Sequence, residues 1–171
     1  PILGARRFHR LIGYLHARKA RRRDRAPGDA TLGVVDRFHV LSYEAGALSD
    51  TFWMGRPIQK SPLDCWVYQE ILFELRPDLI IETGTYLGGS ALFFAHLCDL
   101  LGSGRVVTVD TQLRGRVTHP RVTQITGDAL DPEVLRRVAA AAASAERVLV
   151  VLDDDHGRDH VLAELRAYAT L

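Results

Sequence analysis

The fold is most constrained by an alternation of short β-rich runs with longer helical stretches between residues 61 and 171. The predicted strands are Leu79–Glu82, Val106–Asp110, Val122–Thr126 and Val148–Leu152. Predicted helices occupy residues 89–101, 132–145 and 158–169, and another begins at Ser61-Pro62, where a capping residue precedes a proline. Strands that alternate with helices form parallel sheets of βαβ units, so the expected fold class is α/β.

Charge is distributed unevenly along the chain. Residues 1–25 contain nine basic residues and one acid, although the 171 residues together carry a net charge of only +1. Apolar residues recur there at helical spacing, so we expect residues 1–28 to form a basic amphipathic arm and a linker. The arm could contact an anionic membrane surface, or it could be a solvated segment. The acidic remainder of the chain argues against nucleic acid as a partner.

The segment before the alternating region is less informative. Residues 29–60 carry scattered aromatic residues without sustained periodicity, and we expect a lid or entry segment there. Cys65 and Cys98 lie in apolar stretches 33 positions apart, which predicts reduced, packed thiols rather than a disulfide scaffold or a zinc site. We find neither a run long enough for a membrane helix nor a signal-peptide pattern, and we therefore expect a cytoplasmic protein.

Polar residues follow each predicted strand at its carboxyl end. The first strand continues into the glycine-rich segment 84–89, the second ends at Asp110, the third is followed by Gly127-Asp128, and the fourth by Asp153-Asp154-Asp155-His156. In parallel sheets, ligands bind in the crevice at these strand ends. The sequence therefore predicts a binding site at one edge of the sheet.

Several of these residues have structural alternatives. The glycines of 84–89 would let the backbone turn and approach a ligand, or they could form a tight turn with no ligand. The segment fits the dinucleotide pattern GxGxxG poorly. Asp110 could accept both hydroxyls of a ribose or could cap a turn, and Asp128 could belong to an ordinary Gly-Asp turn.

The three successive carboxylates at residues 153–155 suggest a cation, because they repel one another otherwise. Alternation along an extended backbone predicts that Asp153 and Asp155 point to one side and Asp154 to the other. His156 and His160 have the spacing of a zinc pair, but the sequence offers no third ligand at a suitable distance from them. A hydrogen bond to a neighbouring carboxylate, or packing, is the favoured role for these histidines.

Several motifs in the right order resemble one known family. They are IIETGTYLGGSALFFA, VVTVD, His119-Pro120 followed by ITGDALDPEV, and VLVVLDDDHGRDHVLAELRAYATL, preceded by Trp53, Gly55, Lys60, Pro62, Asp64 and Gln69 in the entry segment. Together they resemble the cephalosporin hydroxylase / rhamnosyl O-methyltransferase family over roughly residues 52–171. The resemblance implies a Rossmann-like class I methyltransferase domain over residues 61–171 that uses S-adenosylmethionine, with Mg²⁺ in several members.

The resemblance also implies roles for individual residues. The expected cofactor-binding residues are Glu82, Gly84, Thr85, Gly88, Gly89, Ser90, Asp110 and Asp128. Asp153 matches the first metal-ligand position of the family, and Asp155 matches a carboxylate that could act as general base. The implied reaction is Mg²⁺-assisted O-methylation of a sugar or secondary-metabolite hydroxyl, with a small molecule or glycan as acceptor.

One departure from the family pattern concerns the end of the sheet. A further pair of acidic metal ligands and three more strands would fall after Leu171, so we expect a sheet truncated after its fourth strand and following helix. The apolar strand 148–152 would then form an exposed edge, or a second copy of the chain would complete the sheet. A nicotinamide-dependent oxidoreductase and a non-catalytic cofactor-binding or interaction module are the alternative functions.

Overall fold

The computed structural model describes residues 29–171 except Leu48. The predicted basic arm, with its suggested membrane contact, lies outside the described residues. The chain divides into two compact units, residues 1–45 and residues 46–171. In the first unit the structure describes one helix, α1 (Asp29–Glu44). Residues 29–60 therefore contain a helix that their irregular pattern did not reveal, and the lid role of this segment stays a prediction.

The second unit contains the alternating elements that the sequence predicts. It starts with a short antiparallel hairpin, β1 (Phe52–Trp53) and β2 (Arg56–Pro57), followed by α2 (Pro62–Leu75) and β3 (Leu79–Thr83). The remaining elements are α3 (Gly89–Leu101), β4 (Arg105–Asp110), β5 (Val122–Thr126), α4 (Pro132–Ala142), β6 (Val148–Leu152) and α5 (Arg158–Tyr168). No helix interrupts the connection between β4 and β5.

Strands β3 to β6 form one parallel sheet in the order β5-β4-β3-β6. This confirms the α/β class and the four predicted strands to within one residue at each end. The chain passes from β3 through β4 to β5 on one side and then returns to place β6 on the other side of β3. Among the described residues β6 pairs with β3 alone.

Two apolar clusters cover the two faces of the sheet, because strand side chains alternate with period two. Ile80 and Val106 face a cluster that includes Leu72 of α2 and Phe94 of α3. The neighbouring strand residues face a second cluster, which contains Leu79, Ile81, Val107, Val109, Val134, Val138 and Tyr168. The sheet is thus packed between helices on both faces, and its strand ends are left to form the site.

Both predicted cap-and-proline helix starts are present. The Ser61 hydroxyl accepts a hydrogen bond from the backbone N–H of Leu63 at 3.2 Å, and the Asp131 carboxylate accepts hydrogen bonds from those of Glu133 and Val134.

Cys65 and Cys98 are free, with Cys98 buried and Cys65 half-buried. Burial raises the pKa of both thiols. None of the helices in the described part of the chain is long and apolar enough to cross a membrane.

Candidate functional site

A cavity of about 520 Å³ opens at the carboxyl ends of the four parallel strands. It lies where the strand order reverses, between β3 and β6, which is where ligands bind in open parallel sheets. Its volume falls within the range of small-molecule sites. The cavity is built entirely from residues of the second unit.

Most of the predicted site residues line this cavity. They are Gly84, Thr85, Gly89, Ser90, Asp110, Asp128, Asp153 and Asp155. Glu82 and Gly88 are not part of the lining: Glu82 is fully buried in β3, and Gly88 precedes α3 as its N-terminal cap. The structure thus brings eight of the ten predicted positions to one surface, while their roles toward a ligand stay predictions.

The glycine-rich loop is fixed by close contacts within the protein itself. A Cβ at Gly84 would lie 2.1 Å from the backbone oxygen of Asp153, and one at Gly89 would lie 2.1 Å from that of Pro57. A Cβ at Gly88 would lie 2.2 Å from the Val117 side chain. Packing of the chain against itself therefore accounts for these glycines, whether or not a ligand also approaches the loop.

The β1–β2 hairpin holds the same loop from outside. The Arg56 guanidinium donates to the carbonyl oxygens of Leu87 at 2.8 Å and Arg116 at 2.9 Å. Trp53 packs edge-on against Phe93 and donates to His96 Nδ1 at 3.0 Å. The hairpin is thereby attached to α3 and positions the loop that begins this helix.

Asp110 joins the ends of two strands. Its Oδ2 accepts the backbone N–H of Tyr86 at 2.7 Å, and its Oδ1 accepts that of Gln112 at 2.9 Å. Tyr86 has a φ of 46°, in the left-handed region that non-glycine residues seldom adopt. Because a carboxylate offers about four lone-pair positions, Asp110 can hold this turn and still accept ligand hydroxyls. Both alternatives considered for Asp110 are therefore compatible.

Asp128 forms the turn considered for it and is also accessible from the cavity, while its role toward a ligand stays a prediction. Its Oδ1 accepts the backbone N–H of Leu130 at 2.7 Å, as in an ordinary turn, and the residue is exposed in the cavity wall.

Glu82 lies beneath the cavity in a chain of buried side chains. The Thr108 hydroxyl donates to Glu82 Oε2 at 2.8 Å, and the Thr85 hydroxyl lies 2.7 Å from that of Thr108, within hydrogen-bond distance. Glu82 Oε1 makes no hydrogen bond of ordinary geometry, although the Ser90 hydroxyl is close enough to lower the pKa of the carboxyl. Burial outweighs these donors and raises the pKa of Glu82 to about 7.

A buried lysine contacts the predicted metal ligand. Lys60 forms an ion pair and hydrogen bond with Asp153 Oδ2, and its side chain is only 7% exposed. The ammonium also lies 5.6 Å from the centre of the Tyr68 ring. Burial lowers the pKa of Lys60, but the hydrogen bond and charge of Asp153 and the charge of Glu82 together raise it above its usual value. A cation therefore already occupies one side of the Asp153 carboxylate.

The next carboxylate contacts a different element. Asp154 Oδ2 lies 3.4 Å from His160 Nε2 on α5, and the same imidazole nitrogen lies 3.9 Å from Glu164 Oε2. Asp153 and Asp154 thus reach different partners, while Asp155 Oδ1 accepts the backbone N–H of Gly157 at 2.7 Å. Burial raises the pKa of the Glu164 carboxyl to about 7. His160 contacts a carboxylate, as predicted.

The comparison with known proteins agrees with this architecture. The family model described as Rhamnosyl O-methyltransferase/CmcI matches residues 46–171, which is nearly the whole second unit. The chain belongs to this family. A rhamnosyl O-methyltransferase of Mycobacterium tuberculosis is 34% identical over 146 residues, covering 82% of this chain and 58% of the relative. One of Mycobacterium leprae is 33% identical over 141 residues, covering 80% of this chain and 62% of the relative.

Solved structures of CmcI share the fold. An apo structure of CmcI is 27% identical, with a TM-score of 0.57 over 68% of this chain and 51% of that chain. A structure of CmcI with Mg and SAM is 25% identical, with a TM-score of 0.60 over 70% of this chain and 53% of that chain. The fold is therefore that of a class I methyltransferase. The chain spans less than two thirds of the length of the curated relatives it matches.

Two features of the site were missed by the sequence analysis. Lys60 was noted for its match to the family's entry segment, and no pattern connected it with Asp153, 93 residues later. Glu164 was overlooked although its spacing from His160 is i,i+4 on a predicted helix, which was a usable signal.

Proposed function

We propose that this chain binds S-adenosylmethionine in the strand-end cavity. We propose further that it forms the cofactor-binding part of an O-methyltransferase that acts on a sugar or secondary-metabolite hydroxyl. The observation that carries the proposal is the placement of Asp110 and the 84–90 loop around one cavity at the switch point of the sheet. Family membership supports it, since the curated relatives are rhamnosyl O-methyltransferases and CmcI has been solved with Mg and SAM.

The cavity residues suit the parts of this cofactor. Asp110 is the carboxylate available for the ribose hydroxyls, and it also holds the Tyr86 turn against the cavity. Asp128 and Ala129 form the neighbouring wall, where the adenine would lie. Gly84, Gly89 and Ser90 would border the methionine portion at the start of α3, where backbone N–H groups and the helix dipole favour its carboxylate. When bound, S-adenosylmethionine supplies an electrophilic methyl group.

Mg²⁺ would be held by Asp153. A carboxylate oxygen suits Mg²⁺, an ion that usually binds one or two carboxylates and keeps several waters. Asp153 Oδ2 is bound to Lys60, so the ammonium would have to withdraw from that oxygen. In this position Mg²⁺ would lower the pKa of an acceptor hydroxyl and orient it.

Asp155 is the proposed general base. It is exposed in the wall of the same cavity, two residues after Asp153. A carboxylate there could remove the proton from an acceptor hydroxyl within hydrogen-bond reach. The acceptor would be a small molecule or glycan, as in the curated relatives, whose name specifies a rhamnosyl group.

Calorimetric titration with S-adenosylmethionine tests the proposal directly. We expect saturable binding of this ligand and no binding of NADH, because the loop lacks the GxGxxG pattern of nicotinamide enzymes. Binding of NADH but not of S-adenosylmethionine would favour the oxidoreductase instead. Binding of S-adenosylmethionine without methyl transfer to any sugar acceptor would leave a cofactor-binding module.

Replacing the Asp110 carboxylate, which is proposed to bind the ribose hydroxyls, should weaken cofactor binding. We expect Asp110→Ala to reduce the affinity for S-adenosylmethionine by about 1–3 kcal/mol, because charge-assisted hydrogen bonds are lost. Asp131→Ala is the matched control, since Asp131 caps α4 outside the cavity and its loss should lower stability without changing affinity. Calorimetry on both variants measures the effect. Equal affinities in Asp110→Ala and the wild type would remove Asp110 from the ribose site.

The lysine that contacts Asp153 should compete with Mg²⁺. We expect Asp153→Asn to abolish the effect of Mg²⁺ on thermal stability while leaving affinity for S-adenosylmethionine nearly unchanged. Lys60→Met removes the competing ammonium but keeps an unbranched side chain, so it should tighten Mg²⁺ binding by about tenfold. Thermal melts over a Mg²⁺ series report both effects. Tighter binding in Asp153→Asn, or weaker binding in Lys60→Met, would contradict the assignment.

A further inference from the structure

Three potential metal ligands converge at the wall of the strand-end cavity. They are Asp154 from the loop after β6, and His160 and Glu164 from consecutive turns of α5. One ligand atom from each lies within 4.8 Å of the others. Asp154 and His160 also line the cavity, whereas Glu164 lies below its surface. Within the described residues, this is the only group of three such side chains with that geometry.

Glu164 is the buried member of this group, and its carboxylate lacks the well-formed hydrogen bonds that usually accompany a buried charge. Glu164 has no exposed surface, and neither of its carboxylate oxygens makes a hydrogen bond of ordinary geometry, although the Thr83 hydroxyl is close enough to lower the pKa of the carboxyl and Asp154 is close enough to raise it. The His160 imidazole, which carries a charge only when protonated, lies 3.9 Å from Glu164 Oε2, beyond hydrogen-bond distance. An uncompensated buried carboxylate costs several kcal/mol unless it takes up a proton or contacts a cation. The position of Glu164 therefore requires either a bound proton or a nearby cation.

The separations match those around a small tetrahedral ion. Zinc binds imidazole nitrogen at about 2.0–2.1 Å and carboxylate oxygen at about 2.0–2.2 Å, so neighbouring ligand atoms lie about 3.4 Å apart. The distance from His160 Nε2 to Asp154 Oδ2 is 3.4 Å, and that to Glu164 Oε2 is 3.9 Å. All three ligand atoms lie within 4.8 Å of one another, so side-chain movements alone would bring them to tetrahedral separations. His160 and Glu164 are one helical turn apart and face the same side.

We propose that Asp154, His160 and Glu164 form a Zn²⁺-type site that is separate from the Mg²⁺ position at Asp153. One imidazole with two carboxylates favours a transition ion such as Zn²⁺ over Mg²⁺, which prefers oxygen ligands alone. The ion neutralises the buried Glu164 carboxylate and ties the first turns of α5 to the loop after β6. Three protein ligands leave the fourth tetrahedral position to water.

Binding of Zn²⁺ to chelator-treated protein tests this site without any cofactor. Isothermal titration with ZnCl₂ should give one tight site, and bound Zn²⁺ should raise the melting temperature in a concentration-dependent manner. Glu164→Gln and His160→Gln should each weaken this binding by about 100-fold or more, because each removes a direct ligand. Millimolar Mg²⁺ should not displace the ion.

Three controls separate this site from other histidines and from Asp153. His156→Gln alters an exposed cavity residue outside the cluster, and His119→Gln alters a largely buried imidazole that pairs with Asp99. Neither variant, nor Asp153→Asn, should change the affinity for Zn²⁺. Circular dichroism verifies folding, and Co²⁺ substitution gives a second readout, since its visible absorption should be lost in His160→Gln.

The proposal is wrong if Zn²⁺ does not bind to the folded wild type. That result would leave a shared proton as the charge that compensates Glu164. It is equally wrong if Glu164→Gln and His160→Gln retain wild-type affinity, or if Asp153→Asn weakens binding as much as they do. Failure of S-adenosylmethionine binding would leave the proposal intact, since the site forms without the cofactor.

Discussion

Gly84→Ala is expected to lower the free energy of unfolding by about 3 kcal/mol or more. The new Cβ would lie 2.1 Å from the backbone oxygen of Asp153 and 2.6 Å from its carbonyl carbon. No side-chain rotation can relieve this overlap, because the neighbour is backbone at the end of β6. Gly84 also has a φ of 88°, which adds strain for any residue with a Cβ. The loss is large against the roughly 5–15 kcal/mol that stabilises a typical domain.

Gly102→Ala separates the overlap from the backbone strain. Gly102 has a φ of 74° as the C-terminal cap of α3, but nothing lies within 4 Å of a Cβ built there. We expect this control to lose only about 1 kcal/mol. Urea unfolding of both variants measures the difference. Similar losses in the two would show that backbone conformation alone, and not the contact between β3 and β6, determines the need for glycine at position 84.

The same contact shows why the sequence predicts the location of the site better than its internal chemistry. Strands and caps follow from local patterns, since β-rich runs and Asp131-Pro132 carry their signals within a few residues. Parallel strands then bring Asp110, Asp128 and Asp153 to one edge by geometry alone. The prediction that Gly84 lies near a ligand also rests on its immediate sequence neighbours. In the fold, however, a Cβ at Gly84 would lie against Asp153, and no local sequence pattern predicts that contact.

Long-range partners of charged groups could not be predicted from the sequence. Lys60 and Asp153 come together only when the segment before α2 packs beside β6, and the burial of Glu82 depends on neighbours in β4. Helix α1 was missed for a related reason, because its residues do not show a sustained apolar period. Composition and spacing describe a chain one element at a time, whereas burial and charge pairing result from the assembled sheet.

We expect the wild type to lose stability as pH rises because of Glu82, and we expect the Glu82→Gln variant not to show this loss. Glu82 is fully buried, and burial raises its pKa from an ordinary 4.5 to about 7. Between these values the folded state holds a proton that the unfolded state has released, so the free energy of unfolding falls as pH increases. The stabilisation is complete below about pH 4.5 and is lost as pH rises through about 7, which corresponds to about 3 kcal/mol.

Glutamine keeps the size of Glu82 and an oxygen that can accept from Thr108, but it does not titrate. The difference in unfolding free energy between Glu82→Gln and the wild type should therefore increase between pH 4.5 and pH 8, in favour of the variant. Glu133→Gln is the matched control, because Glu133 is exposed and its pKa is lowered by the hydrogen bond from Arg136. The Glu133–Arg136 pair stabilises the wild type at neutral pH and loses this effect only as pH falls through the lowered pKa, so the Glu133→Gln difference should not shift in favour of the variant as pH rises. Urea unfolding across this pH range measures both differences, and a constant offset between Glu82→Gln and the wild type would show that Glu82 is ionised throughout.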